Sequence, residues 1–189
     1  MKDFKNFILI GPPGCGKGTQ AKLLLKRFKG AYYISTGRLF RKLTKQKTDV
    51  GERIKSVVES GGLPFDDLAT TLWMYDIAQN LKKNHGIVAD GFPRRLQEAK
   101  DLDDFLKFLD RKKNTKFILI NISEKEALKR LPKRNRADDE AKDIKKRFIL
   151  YRKRTVPAIN YLKKHYNLVY INGEQTRENV FKDILKVIK

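Results

Sequence analysis

The chain has 189 residues, 40% of them hydrophobic, and a formal net charge of +21 from 43 Lys+Arg against 22 Asp+Glu. That length suits one domain with a full core; no apolar run is long enough to cross a bilayer, and the charged start MKDFKNFILIG is not expected to act as a signal peptide. A single cysteine excludes an internal disulfide and a cysteine-rich zinc cage, and it points to a reducing, cytoplasmic setting.

The first apolar run, Phe7–Ile10, reads as a buried strand and leads straight into GPPGCGKGT at residues 11–19. Helical spacing follows at Ala21, Leu24, Leu25 and Phe28. Gly11, Gly16 and Lys17 therefore fit G-x-x-x-x-G-K between a strand and a helix, where backbone N–H groups converge on phosphate oxygens. The helix N-terminus adds positive potential and Lys17 adds a point charge for the outer phosphates. Most such loops carry Ser or Thr after the lysine as a direct Mg²⁺ ligand, but here Gly18 takes that place. A metal held through water and substrate oxygens is the expectation.

The second run, Tyr32–Ile34, is followed by Ser35-Thr36-Gly37-Arg38-Leu39-Phe40-Arg41. Residues 36–83 hold too much helical sequence for one crossover, and Ser60-Gly61-Gly62-Leu63-Pro64 breaks them. The third run, Gly86–Ala89, leads into Asp90-Gly91-Phe92-Pro93-Arg94. Two of these strand ends thus supply arginines, whose planar guanidinium grips phosphate bidentately. After the fourth run, Phe117–Ile122, the stretch 130–147 is dense in charge and almost empty of apolar side chains; it carries Arg130, Arg134, Arg136 and Arg147. The fifth run, Leu168–Ile171, ends in Asn172-Gly173-Glu174. Strands alternating with helices predict parallel βαβ units and a doubly wound α/β fold, with both interruptions lying over the carboxyl edge of the sheet. His85 and His165 sit beside lysines and read as solvated or capping residues, so no catalytic histidine is expected.

In order, GPPGCGKGT, STGRLFR, DGFPRR, NRADD with IKKR, and NGE resemble the motifs of adenylate kinase and its nucleoside-monophosphate kinase relatives in their short-lid form. The resemblance covers nearly the whole chain. It implies a three-layer P-loop NTPase-type fold with five parallel strands flanked by helices. Residues 1–189 would form a single kinase domain, including an NMP-binding insertion at 36–66 and a short lid at 131–142. By the same resemblance, Gly14, Cys15, Gly16, Lys17, Gly18 and Thr19 hold ATP, with Arg130, Arg134 and Gly173. Thr36, Gly37, Arg41, Gly91, Arg94 and Glu98 hold the acceptor monophosphate, with Arg136 and Arg147. Lys17, Arg94, Arg130, Arg136 and Arg147 are the implied catalytic residues, and Asp90 would orient water on the Mg²⁺ that accompanies ATP. No zinc is expected. The implied reaction is direct, in-line, reversible transfer of the ATP γ-phosphoryl to AMP, giving two ADP.

Three departures shape the expectations. Arg38 replaces the aspartate of the family's STGD motif, and Leu63-Pro64 lacks one residue of the stretch, here 61–67, that closes over the acceptor base. The family's adenine-reading glutamine falls on Glu98, with Gln97 one residue away. An ionised glutamate only accepts hydrogen bonds and suits guanine better, so GMP or a pyrimidine monophosphate is the alternative acceptor to AMP. From another class comes a nucleotide-switched RNA or assembly factor that kept the fold, motivated by the charge and by Arg38. AMP is the favoured acceptor. The expected partners are ATP and a nucleoside monophosphate, with no membrane, for a monomeric protein. Nucleic acid is admissible for so basic a chain but not favoured, because the basic residues are scattered and no RNA-binding motif accompanies them.

Overall fold

A computed structural model describes residues 5–134 and 140–188. Five parallel strands, Asn6–Ile10 (β1), Tyr32–Ser35 (β2), Ile87–Asp90 (β3), Thr115–Asn121 (β4) and Leu168–Asn172 (β5), stand in the order β2-β3-β1-β4-β5. Each apolar run of the sequence is one of these strands, shifted or extended by one or two residues. The extensions matter at the carboxyl ends, where polar Ser35, Asp90 and Asn172 continue the ladder and Ser35 pairs in register with Asp90.

Nine helices cross between or follow the strands among the described residues: Lys17–Arg27 (α1), Thr36–Leu43 (α2), Asp49–Glu59 (α3), Asp66–Asn80 (α4), Leu96–Phe108 (α5), Glu124–Arg130 (α6), Ala141–Leu150 (α7), Val156–His165 (α8) and Arg177–Val187 (α9). They cover both faces of the sheet, which is why the strands read as continuous apolar runs. Alternation along β1 divides the core. Phe7 and Leu9 pack with Ala21 and Leu24 of α1, Ile144 and Phe148 of α7, and Val180 and Ile184 of α9. Ile8 and Ile10 pack with Trp73 and Ile77 of α4, Leu102 and Leu106 of α5, and Leu162 of α8. The chain is therefore a three-layer α/β fold of the P-loop NTPase type.

The excursion between β2 and β3 is three helices, and its break falls at 60–65 as the Gly-Gly-Leu-Pro run predicts. The charge-rich stretch divides differently from its sequence impression. α6 ends at Arg130, a short 3₁₀ turn covers Pro132–Arg134, and α7 then buries Asp143, Ile144 and Phe148. Only a few apolar residues were needed to make its second half scaffold. α7 runs through a π-helical turn, Tyr151–Thr155, into α8. Pro157 stands two residues beyond that turn, and a proline lacks the N–H and crowds the carbonyl four residues back, so the widened turn absorbs it.

Candidate active site

All five strands end at one edge, and the loops that leave them build the site. Gly14 and Gly16 sit in the left-handed region, with φ of 79° and 92°, which is open to glycine without strain. They turn the chain so that α1 starts at Lys17 with no side chain capping its N-terminus. First-turn N–H groups with no side-chain cap and no acidic neighbour favour an anion. Lys17 folds back over the loop, its Nζ donating to the carbonyls of Gly11 at 2.8 Å and Pro12 at 2.9 Å, and lying 3.3 Å from Cys15 Sγ. Cys15 itself is buried beneath the loop. The end of α6 sits against it: a Cβ on Gly14 would lie 3.1 Å from Leu131. Arg130 precedes Leu131 at the end of α6, and its Nε donates to Glu126 Oε1 at 2.7 Å.

Asp90 joins the first loop to the next two. Ser35 donates to its Oδ1 at 2.6 Å and Tyr33 to its Oδ2 at 2.8 Å. A Cβ on Gly18 would lie 3.5 Å from the same Oδ2. The glycine after Lys17 therefore leaves the phosphate loop bordered by a carboxylate in place of a hydroxyl. Burial first, and then the Asp90 charge, push the Tyr33 phenol up to about 12, which keeps it a donor at neutral pH. Tyr33 was not among the sequence-derived site residues. Its signal was there: Tyr33 and Ser35 share one face of β2 by period-two alternation, and Ser35 pairs with Asp90.

On the far side of Asp90 a second constellation converges. Thr36 Oγ1 and Arg94 Nε both donate to the Gly91 carbonyl at 2.7 Å. A Cβ on Gly91 would stand 2.6 Å from Thr36 Oγ1 and 3.6 Å from Arg94 Nη2, and one on Gly37 would stand 3.1 Å from Arg41 Nη1. Thr36, Gly37, Arg41, Gly91 and Arg94 are thus brought together. Arg94 is also held from behind, since Thr155 of the π-helical turn donates to its carbonyl at 3.0 Å.

Beside them lies a cleft walled by Phe40, Leu63, Pro64 and Ala69, with Glu98 in its lining. Arg95 Nη2 donates to the Pro64 carbonyl at 2.9 Å and ties that wall to the start of α5. Trp73 of α4 stacks on Phe92, their centroids 5.0 Å apart. Glu98 is only 6% exposed, and its Oε2 accepts the Arg94 N–H at 2.6 Å. Burial pushes its pKa up, opposed by that N–H and by the charges of Arg94 and Arg95. Gln97 points elsewhere: it is exposed and donates to Asp101 at 2.8 Å on the outer face of α5. Of the two, Glu98 is the one that lines the cleft.

The remaining candidates are spread wider. Gly173 donates its N–H to the Asn121 carbonyl at 2.8 Å, and a Cβ there would come within 2.8 Å of Ile120 and Ile122. Arg147 is half-buried on α7. Arg134 lies in the 3₁₀ turn, and Arg136 falls outside the described residues. Arg38 is exposed, its guanidinium 5.1 Å above the Tyr33 ring and its Nη2 3.1 Å from the Tyr33 carbonyl. The turn after α3 also meets α7, where Lys146 donates to the Ser60 carbonyl at 2.7 Å. A Cβ on Gly61 would stand 3.1 Å from Asp143. In chemical terms the edge offers two anion sites on either side of one buried carboxylate, with an apolar cleft beside the second.

A family model described as "Adenylate kinase" matches residues 9–167. The chain is 35% identical over 190 residues to an adenylate kinase of Azobacteroides pseudotrichonymphae, covering 97% of this chain and 96% of the relative. It is 34% identical over 188 residues to one of Bacteroides fragilis, covering 97% of each. A third relative, an adenylate kinase of Prochlorococcus marinus, is 35% identical over 181 residues, covering 95% of this chain and 96% of its own length.

Proposed function

The chain belongs to the adenylate kinase family, and from that premise we propose how its residues transfer the ATP γ-phosphoryl to AMP, giving two ADP. It is a phosphotransferase. The GMP, pyrimidine and RNA-factor readings are not favoured by these relatives, all of which are named adenylate kinases. The observation that carries the residue-level reading is the meeting of three loops at Asp90, with a phosphate-type loop on one side and the Thr36–Arg94 cluster on the other.

ATP enters with its phosphates on the loop from Gly14 to Thr19. Lys17 exchanges the Gly11 and Pro12 carbonyls for phosphate oxygens. Arg130, at the end of α6, adds positive charge, and Gly173 lies toward the adenine. Thr36, Gly37, Arg41, Gly91 and Arg94 take the acceptor phosphate. Its oxygen is the nucleophile and needs little base assistance, so the protein supplies alignment and charge. Arg94 is suited to this because its backbone is fixed from two sides, by Glu98 at its N–H and Thr155 at its carbonyl.

Asp90 fits a magnesium ion held through water. It is a hard carboxylate, and Gly18 puts no side chain between it and the loop. An ion carried in with ATP would neutralise charge on the transferring phosphates. We take 36–66 as the acceptor-binding insertion and 131–142 as the lid, with Arg134, Arg136 and Arg147 acting from the lid side while closure keeps water from the phosphoryl group. The lone cysteine, enclosed under the loop, supports a reducing cytoplasmic setting.

The test offers ATP and Mg²⁺ with AMP, GMP, CMP and UMP in turn and follows diphosphate formation. Two ADP should appear for each AMP consumed. ATP hydrolysis without turnover of any acceptor would sink the proposal.

A further inference from the structure

The acceptor cleft contains an unmatched oxygen. Glu98 Oε2 has the Arg94 N–H, but Oε1 is buried and makes no hydrogen bond. The Trp73 indole faces the same carboxyl, and its Nε1 is likewise buried without a hydrogen bond. Around them the cleft has apolar walls in Phe40, Leu63, Pro64 and Ala69, while Thr36, Gly91, Arg94 and Arg95 complete its lining. An ionised carboxylate on a residue only 6% exposed, with one oxygen lacking a hydrogen bond, is costly even beside two arginines, whereas a neutral acid is much less so.

The groups facing Glu98 come from four directions. Arg94 and Arg95 precede it in the chain, Trp73 faces it from α4, and Thr36 shares the cleft from α2. The π-helical turn contributes Arg154, which acts on Arg95, and Thr155, which holds the Arg94 carbonyl. Among the described residues the cleft lining holds no second carboxylate. Burial outweighs the two arginines, the Arg94 N–H and the indole, so the Glu98 carboxyl titrates above the ordinary carboxylate range.

We propose that Glu98 reads the acceptor base as a carboxylic acid, its O–H donating to adenine N1 and its carbonyl oxygen accepting from the 6-amino group. The inference rests on AMP being the acceptor. A carboxylic acid presents one donor and one acceptor side by side, as a carboxamide does, while a carboxylate presents two acceptors. Oε2 keeps a second lone pair after accepting the Arg94 N–H, so both functions are available together. The proton on Glu98 therefore sets the base preference: with it the site matches adenine, and without it the site matches the N1–H and 2-amino donors of guanine.

The experiment measures KM for AMP at saturating ATP and Mg²⁺ from about pH 5.5 to about pH 9, on the wild type and on Glu98→Gln. Phosphate titration is common to both proteins, so the wild-type to variant ratio isolates Glu98. The ratio should be flat at low pH and rise about tenfold per pH unit once Glu98 ionises. The corresponding ratio for ATP should stay flat. With 1-deaza-AMP, which lacks the N1 acceptor, the rise should collapse. An AMP ratio that never moves overturns the proposal, and so does a rise undiminished with 1-deaza-AMP, which would mean simple charge repulsion. The wild type alone gives a second readout: the GMP inhibition constant relative to the AMP KM should fall as pH rises, and a constant value again overturns the idea. Absence of ADP from ATP and AMP at every pH in both proteins would remove the kinase reading itself, an outcome distinct from any of these.

Discussion

Under the proposed function, the donor and acceptor halves of the site are built from different material. The donor half is backbone: glycine turns, the bare N-terminus of α1, and one lysine held by loop carbonyls. The acceptor half is side chain: Thr36, Arg41, Arg94 and Glu98, propped by Thr155, Trp73 and Arg95 from three separate segments. A backbone amide offers the same N–H whatever residue carries it, provided the turn forms. A side-chain subsite changes its chemistry with each substitution. It is consistent with this that the departures from the family pattern, Arg38 and Glu98, fall on the acceptor half.

The comparison can be broken most directly at Lys17, the side chain that folds over the phosphate-type loop. Lys17→Ala should lower kcat by roughly 10³-fold or more while leaving circular dichroism unchanged. A loss below about tenfold would show that amides and helix dipole carry the donor half alone. Next comes Gly91, the backbone point that the acceptor half cannot spare. Alanine there would place its Cβ 2.6 Å from Thr36 Oγ1 at a φ of 88°. We expect KM for AMP to rise roughly tenfold or more and unfolding free energy to fall by about 1–2 kcal/mol, with KM for ATP nearly constant. Steady-state kinetics with each substrate varied would show whether the damage is confined to one side. The smallest effect is expected at Tyr33, which touches the carboxylate between the halves. Tyr33→Phe removes one charge-assisted hydrogen bond, worth about 1.5 kcal/mol, and should lower kcat severalfold with both KM values little changed. A KM effect for AMP alone would assign Tyr33 to the acceptor half instead.

Legibility in the sequence follows the same division. The phosphate loop could be read because strand, glycines, lysine and helix are contiguous, and the strands because central positions are apolar on both faces. Residues from different elements could not be joined that way. Tyr33 reaches Asp90 only because β2 lies beside β3, an order that no local pattern states. Trp73 is fully buried core, yet its indole edge borders Glu98, a meeting that the sequence does not state. The choice between Gln97 and Glu98 turned on the rotation of one helix turn, which the structure fixes through the Arg94 N–H. Ile144 shows the opposite failure, since this isoleucine in a charged stretch, with Phe148 just beyond it, anchors α7 in the core.

That anchor bears on the turn at Ser60–Gly62. Lys146 holds the Ser60 carbonyl and Asp143 abuts Gly61, both from a helix whose neighbouring Ile144 is wholly enclosed. The turn that follows α3 thus rests on an abutment rooted in the core. A change that loosened α7 would therefore loosen this turn as well.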